Sequence, residues 1–364
     1  CSSDLKDVTE DINHNKESKM KRFTITLLSL GMFIVGCDQF GNNETGSSTE
    51  EELLALINAD EAFTFDGLDD EGDEEGDYTE GIEVDAGFRM MGDTLLPGDN
   101  VKLRFGRKID REASTRDVTF EVNGDTAVGT VALSLVGTFY VKSIEWGEDS
   151  TTSSGYSITN IDTFSKDFTS EFNRKVRFIQ VADANNPDGY HWKIDALTMG
   201  MGSSGTKLSI TNIAFYNNAD STGEAVLSYA ADTAGDIYFS RDSLPSFTYN
   251  WGSQTTYRVE VTVSNADPIL ILNDQDSGEK VSMHYGVSRR FKARRGMSDA
   301  GTFGDVTASD NVFTRLWRPH RIRFGSHSMI ARMFFSAVDN NTLFVSDGGY
   351  NTSIWTFPYQ VTSN

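Results

Sequence analysis

The chain has 364 residues, with 54 acids against 32 lysines and arginines and a formal net charge of −22. That excess of negative charge makes the chain a poor candidate for binding nucleic-acid backbones, and no nucleic-acid partner is expected. Only two cysteines are present, Cys1 and Cys37, so stability rests on burial rather than on disulfides or thiolate metal sites.

Met20-Lys21-Arg22 is a short basic segment, followed by thirteen residues without charge from Phe23 to Val35 and then Gly36-Cys37. A basic start, a short apolar core and a small residue before a cleavage point describe a secretory signal. At 1.5 Å per residue the apolar core reaches only about 20 Å, short of the ~30 Å of hydrocarbon in a bilayer. The sequence Ile34-Val35-Gly36-Cys37 resembles the lipobox of bacterial lipoproteins, with Ile34 where Leu is commonest. The resemblance implies that Cys37 is diacylated on sulfur and becomes the mature N-terminus. It also implies a bacterial cell-envelope location, with a membrane as partner through N-terminal lipid. Acylation would consume the Cys37 thiol and exclude cysteine catalysis. Residues 1–36 are therefore read as an upstream extension (1–19) plus signal peptide, and are left out of the fold reasoning. They carry five acids and five bases, so the mature chain keeps the whole net charge.

Residues 37–47 are rich in Gly, Asn and Ser and predict a flexible tether. Ser48 followed by Glu51 reads as a capping box, and Leu53, Leu56 and Ile57 have helical spacing. A short helix is expected over about 49–60. Residues 66–85 hold eleven acids and no base, which predicts a solvated acidic linker. From about Val101 the pattern turns to strands. Val118, Phe120 and Val122 alternate up to Asn123-Gly124, a hairpin signal, and Val131, Leu133 and Leu135 alternate on the return. Arg174 to Ala182 reads as a strand, Asn186-Pro187-Asp188-Gly189 as a turn, and Tyr190, Trp192, Ile194 and Ala196 continue the alternation.

The helix, the Gly124–Ala127 hairpin, Arg174–Phe178 and Trp192–Ile194 together resemble the nuclear-transport-factor-like (SnoaL-like) cone fold. The resemblance implies a helix-plus-curved-sheet α+β domain over residues 48–200. Only one N-terminal helix is visible where that family usually has three, and no residue matches its catalytic Asp-His pairs.

Gly200, Gly202 and Gly205 spell G-x-G-x-x-G, but Lys207 to Thr211 follows as a strand pattern rather than a helix. These glycines are expected to form a linker. Residues 201–364 then read as short strands, expected at 208–216, 224–230, 235–240, 281–287, 329–338, 342–346 and 353–359. Tyr257 to Ser264 alternates as a half-buried strand. The spacing suggests an antiparallel β-sandwich that resembles the immunoglobulin-like modules of bacterial surface proteins. The fold expected is mainly β with a small α component.

Four histidines, His191, His284, His320 and His327, show no metal-binding spacing, and no G-x-S-x-G is present. No catalytic, metal or cofactor residue is assigned. Trp317, Tyr350, Trp355 and Tyr359 are expected in the core. Ten bases lie between residues 287 and 332 against three acids, Asp299, Asp305 and Asp310. Arg289, Arg290, Lys292, Arg294 and Arg295 form the dense part, which reads as a candidate anion-binding patch. These features suggest a non-catalytic binding or interaction role, with an envelope polyanion or a protein as partner. The alternative is a pocket-based enzyme or small-ligand binder within 48–200.

Overall fold

The computed structural model describes residues 49–59, 80–83, 88–91, 94–97, 101–148, 150–153, 156–217, 223–250, 256–269, 277–288, 291–322 and 327–363. The signal, Cys37, the tether and residues 66–79 of the acidic stretch lie outside the described residues. Ser47–Asn364 forms one compact unit. It is mainly β, and its strands pair antiparallel with a single parallel pair among those described.

Helix α1 (Thr49–Ala59) is followed by β1 (Glu80–Glu83), β2 (Phe88–Met91), β3 (Thr94–Pro97), β4 (Val101–Asn123), β5 (Thr126–Glu148) and β6 (Tyr156–Ala182). Then come β7 (Tyr190–Thr198), β8 (Gly200–Ser204), β9 (Leu208–Asn217), β10 (Leu227–Ala230), α2 (Ala231–Ala234), β11 (Tyr238–Ser240) and β12 (Ser246–Tyr249). The chain ends with β13 (Tyr257–Asn265), β14 (Glu279–Ser288), β15 (Phe291–Gly296), β16 (Val312–Trp317), β17 (Ser328–Asp339), α3 (Asn340–Phe344) and β18 (Thr352–Ser363).

Three consecutive strands of 23, 23 and 27 residues, β4 to β6, are several times the usual strand length of about 5–6. On β5 the core face stays apolar from Ala127 to Val141, while the matching face of β6 alternates phenylalanines with the buried polar side chains of Lys166, Ser170 and Arg174. Ala127, Val131, Leu133, Leu135, Phe139 and Val141 of β5 are all buried, at period two. Their partners on β6 include Phe178, Phe172 and Phe164, opposite Ala127, Leu133 and Val141. Near the middle of β4 the register shifts between Asp110 and Thr115. Asp110 holds this bulge: its Oδ1 accepts the amides of Glu112 at 3.0 Å and Ala113 at 3.1 Å. The expected hairpin forms with Gly124 at a φ of 64°, directly after the end of β4. Positive φ at the first central residue is the type II′ requirement that glycine meets without strain.

The large sheet runs β1-β4-β5-β6-β8-β18-β17-β14-β15, with β7, β11 and β12 attached to it. A four-stranded sheet, β10-β9-β13-β16, packs on its C-terminal part. Phe215, Val259, Val261, Phe313 and Trp317 of the smaller sheet meet Met333, Phe335, Trp355, Phe357 and Tyr359 of the larger in one core. Phe215 lies 6.0 Å from Phe357 and Trp317 lies 5.7 Å from Tyr359, both edge-on. The opposite face of β17 and β18 is buried too. Phe334, Val338 and Ile354 join Phe105, Phe139, Phe168, Phe172 and the α3 residues Leu343 and Phe344. Leu53 and Ile57 fix α1 to the first core, and Glu52 Oε1 accepts the Trp192 amide at 3.3 Å.

Several local expectations turn out differently. Residues 342–346, expected as a strand, largely belong to α3, where Asn340 is fully buried and donates to the carbonyls of Ile269 and Ser277. The last residues of the acidic stretch, Glu80–Glu83, form β1 on β4. Two of the glycines read as a linker, Gly200 and Gly202, belong to β8, which pairs with Glu171–Asn173 of β6 on one side and Thr352–Thr356 of β18 on the other, and Gly205 follows it at a φ of 69°. The sheet therefore passes continuously across residue 200. Glycine is needed here for close approach. A Cβ on Gly200 would sit 2.2 Å from Phe172 Cζ and 2.7 Å from Arg174 Nη2, and one on Gly202 would sit 2.8 Å from Phe172 Cδ2.

Candidate anion-binding seam

Strand β15 is the edge of the large sheet and β16 the edge of the small one. The two edges meet just after Gly296. Ser298 and Thr314 exchange backbone hydrogen bonds at 3.0 and 2.7 Å, and Arg315 Nη1 donates to the Gly296 carbonyl at 3.3 Å. This junction brings basic residues from two distant parts of the chain together. Burial lowers the pKa of Arg315 most, and the like charge of Arg295 lowers it further. Arg295 is exposed and Arg315 half-buried. Arg318 and Arg321, also exposed, continue the same chain segment beyond β16. The Arg318 guanidinium lies 5.2 Å from the centre of the Tyr249 ring.

Strand alternation divides the five bases singled out in the sequence. Arg289 and Arg290 lie outside the described residues. Lys292 stands opposite Gly286, and Arg294 opposite His284. Arg295 stands opposite Met283, on the side of the sheet that faces the first core. Arg294 thus shares a face with His284, Phe334 and Thr356, and with Arg174 farther across the sheet. That face is interior. Arg174 is buried, donates from Nη2 to the Thr356 carbonyl at 3.1 Å, and packs over the Phe172 ring. Burial, and then the like charge of Arg332, push its pKa down to about 9. His284 is likewise buried, with Nε2 3.2 Å from Ser282 Oγ. Among the described residues of this region, Arg295, Arg318 and Arg321 are exposed, while Arg294, Arg315 and Arg332 are half-buried.

Beside the seam, residues 299–311 form a loop that sequence reasoning overlooked. Its base is Asp299, only 4 % exposed, whose carboxylate oxygens accept the amides of Asp310 and Asn311, each at 3.1 Å. Asp305 bridges the loop by accepting the amides of Gly301 at 2.7 Å and Thr307 at 3.3 Å. Among the described residues the only non-glycine positive φ values are at Phe303 (57°), Ser309 (61°) and Asn311 (63°), all in this loop. Each such position costs about 1–3 kcal/mol and persists only when surrounding bonds over-determine it. A Cβ on Gly304, at a φ of 99°, would lie 2.7 Å from Leu316 Cδ2, and the Leu316 amide donates to the Phe303 carbonyl at 3.0 Å. The loop is thus clamped onto β16, while Phe303 remains 61 % exposed and Val306 82 % exposed. The Arg315 guanidinium lies 4.5 Å from the centre of the Phe303 ring. The signal for this loop was present in the sequence as Gly and Asp at turn spacing, Asp299-x-Gly301-x-x-Gly304-Asp305.

Chemically the seam can attract and hydrogen-bond oxyanions. Among the described residues no group of three or more His, Cys, Asp or Glu side chains is arranged to hold a metal ion. No protein-family model matches the chain, and neither a curated protein nor a solved structure matches it.

Proposed function

We propose that the protein is a lipid-anchored protein of the bacterial cell envelope with a non-catalytic binding role, and that the seam of Arg295, Arg315, Arg318 and Arg321 is its anion-binding surface. The observation that carries this reading is the meeting of Arg295 and Arg315 at the joined edges of the two sheets. In a chain of net charge −22, Arg315 donates to the Gly296 carbonyl next along the strand from Arg295, and an anion at this junction would offset the concentrated positive charge. The two-part architecture serves as a rigid support: α1 and the long strands on one side, and a sandwich of the two sheets carrying the seam on the other. The lipobox-like segment ending in Cys37 supplies the anchor and the location.

Chromatography on immobilised heparin tests the seam. The chain should be retained at low salt despite its acidity. Arg295→Gln and Arg315→Gln should each elute at lower salt, with affinity lowered roughly fivefold, the equivalent of about 1 kcal/mol per basic residue at an anionic surface. If the double variant is retained as strongly as the parent, the seam is not the binding surface.

A further inference from the structure

We propose that the anion met by the seam is a lipid bilayer surface, and that Phe303 and Val306 of the 299–311 loop insert among the headgroups while Arg295 and Arg315 engage lipid phosphates. This rests on the reading of the seam as an anion-binding surface and names its partner.

Four features support a bilayer over a soluble polyanion. First, the two most exposed large apolar side chains among the described residues, Phe303 and Val306, are three residues apart on one loop. Solvent exposure of such groups is unfavourable unless something covers them. Second, the loop holds them out rigidly. Asp299 ties its base and Asp305 its middle, and Phe303 is kept at positive φ by the neighbouring contacts. A loop fixed in this way loses little conformational freedom on docking. Third, Arg315 lies against the Phe303 ring and Arg295 lies near Arg315, so positive charge borders the apolar tip. An apolar tip bordered by arginine is the arrangement that suits the boundary between headgroup and acyl chain. Fourth, the acids of the loop are engaged by its own amides. Asp305 accepts from Gly301 and Thr307, and Asp310 accepts from Val312 at 3.0 Å. Their charge is therefore partly compensated within the loop. A linear sulfated glycan would use the arginines and leave Phe303 and Val306 in water.

The test uses residues 38–364, which contain the whole compact unit Ser47–Asn364 and lack both Cys37 and the apolar segment 23–35, with sedimentation against vesicles. Vesicles of phosphatidylcholine mixed with phosphatidylglycerol should bind the chain, and vesicles of phosphatidylcholine alone should bind it much more weakly. Phe303→Ser combined with Val306→Ser should lower affinity for the mixed vesicles by about tenfold or more, while heparin retention stays unchanged. Phe303→Leu keeps an apolar side chain and should stay within about threefold of the parent. Full vesicle binding by the double serine variant overturns the insertion, as does a loss with Phe303→Leu equal to the loss with serine. If the parent fails to bind both heparin and mixed vesicles, the seam reading itself is wrong. If heparin binding survives and vesicle binding is absent, the partner is a soluble polyanion or an acidic protein, and the bilayer is rejected.

Discussion

At the scale of single residues, the loop beside the seam depends on one buried carboxylate. Two amides donate to Asp299, which favours its charged form, yet burial dominates and raises its pKa from 3.8 to about 6, with Asp310 and Asp305 adding to the rise. The sign of the resulting pH dependence follows from proton counting. Between about pH 4 and about pH 6 the folded chain retains a proton that the unfolded chain has lost, so stability from this group declines as pH rises through that window. Asp299→Asn removes the titration while leaving one oxygen to accept an amide. Thermal melts should therefore show a steeper loss of stability from about pH 4 to about pH 6 in the parent than in the variant. Identical slopes would mean that Asp299 is not held as an unfavourable buried charge. Glu279, buried beside Asn265 and facing Asp339 across the sheet, has its pKa raised by burial and adds a dependence of the same sign. Part of that rise comes from the charge of Asp299, so Asp299→Asn also lessens the Glu279 contribution, and both changes flatten the variant's slope in the same direction.

At the scale of elements, close packing replaces side chains with glycine where β6, β8 and β18 cross. Gly200→Ala would force its Cβ into Phe172, the Arg174 guanidinium and Thr356 Cγ2, all under 3.0 Å. Urea unfolding should show a loss of about 1–3 kcal/mol for this variant. Gly296→Ala, with nothing within 4 Å of the added carbon, should be nearly neutral. Equal effects would contradict the crossing. The same element marks the limit of what the sequence discloses. Helix α1, the hairpin at Gly124, the turn at Gly189 and the strands β9, β14, β17 and β18 follow from period and turn chemistry, which are local. The core positions of Trp317, Trp355 and Tyr359 follow from their size and apolarity. The place of Gly200–Ser204 depends instead on Phe172 and Arg174 from one side and Thr356 from the other, a partner 156 positions from Gly200 along the chain. Nothing in a five-residue glycine-rich run announces such neighbours. The seam was half legible for a similar reason. The charge surplus over residues 287–332 is visible by counting, but period-two alternation puts Arg294 and Arg295 on opposite faces, Arg295 is exposed because β15 is an edge, and only the junction with β16 adds Arg315.

At the scale of the whole molecule, a chain with 54 acids against 32 lysines and arginines brings Arg295 and Arg315 to the junction of its two sheets. An exposed ion pair contributes only about 0–1 kcal/mol, and at physiological salt the reach of such charges is about 8 Å. Binding through the seam would therefore be weak by itself in the environment of the cell. A membrane tether changes this, because it holds the surface at high effective concentration near its target. The proposed acylation of Cys37 is thus what would let a modest anion-binding surface act at all, and it would set the compartment in which the proposed contact of the Phe303 loop with lipid takes place. Metabolic labelling with radioactive palmitate, comparing the full chain with Cys37→Ala in a bacterial host, tests this most directly. The parent should incorporate label and fractionate with membranes, and the variant should carry none. Equal labelling of the two, or an unlabelled parent, would contradict a lipid-anchored envelope protein.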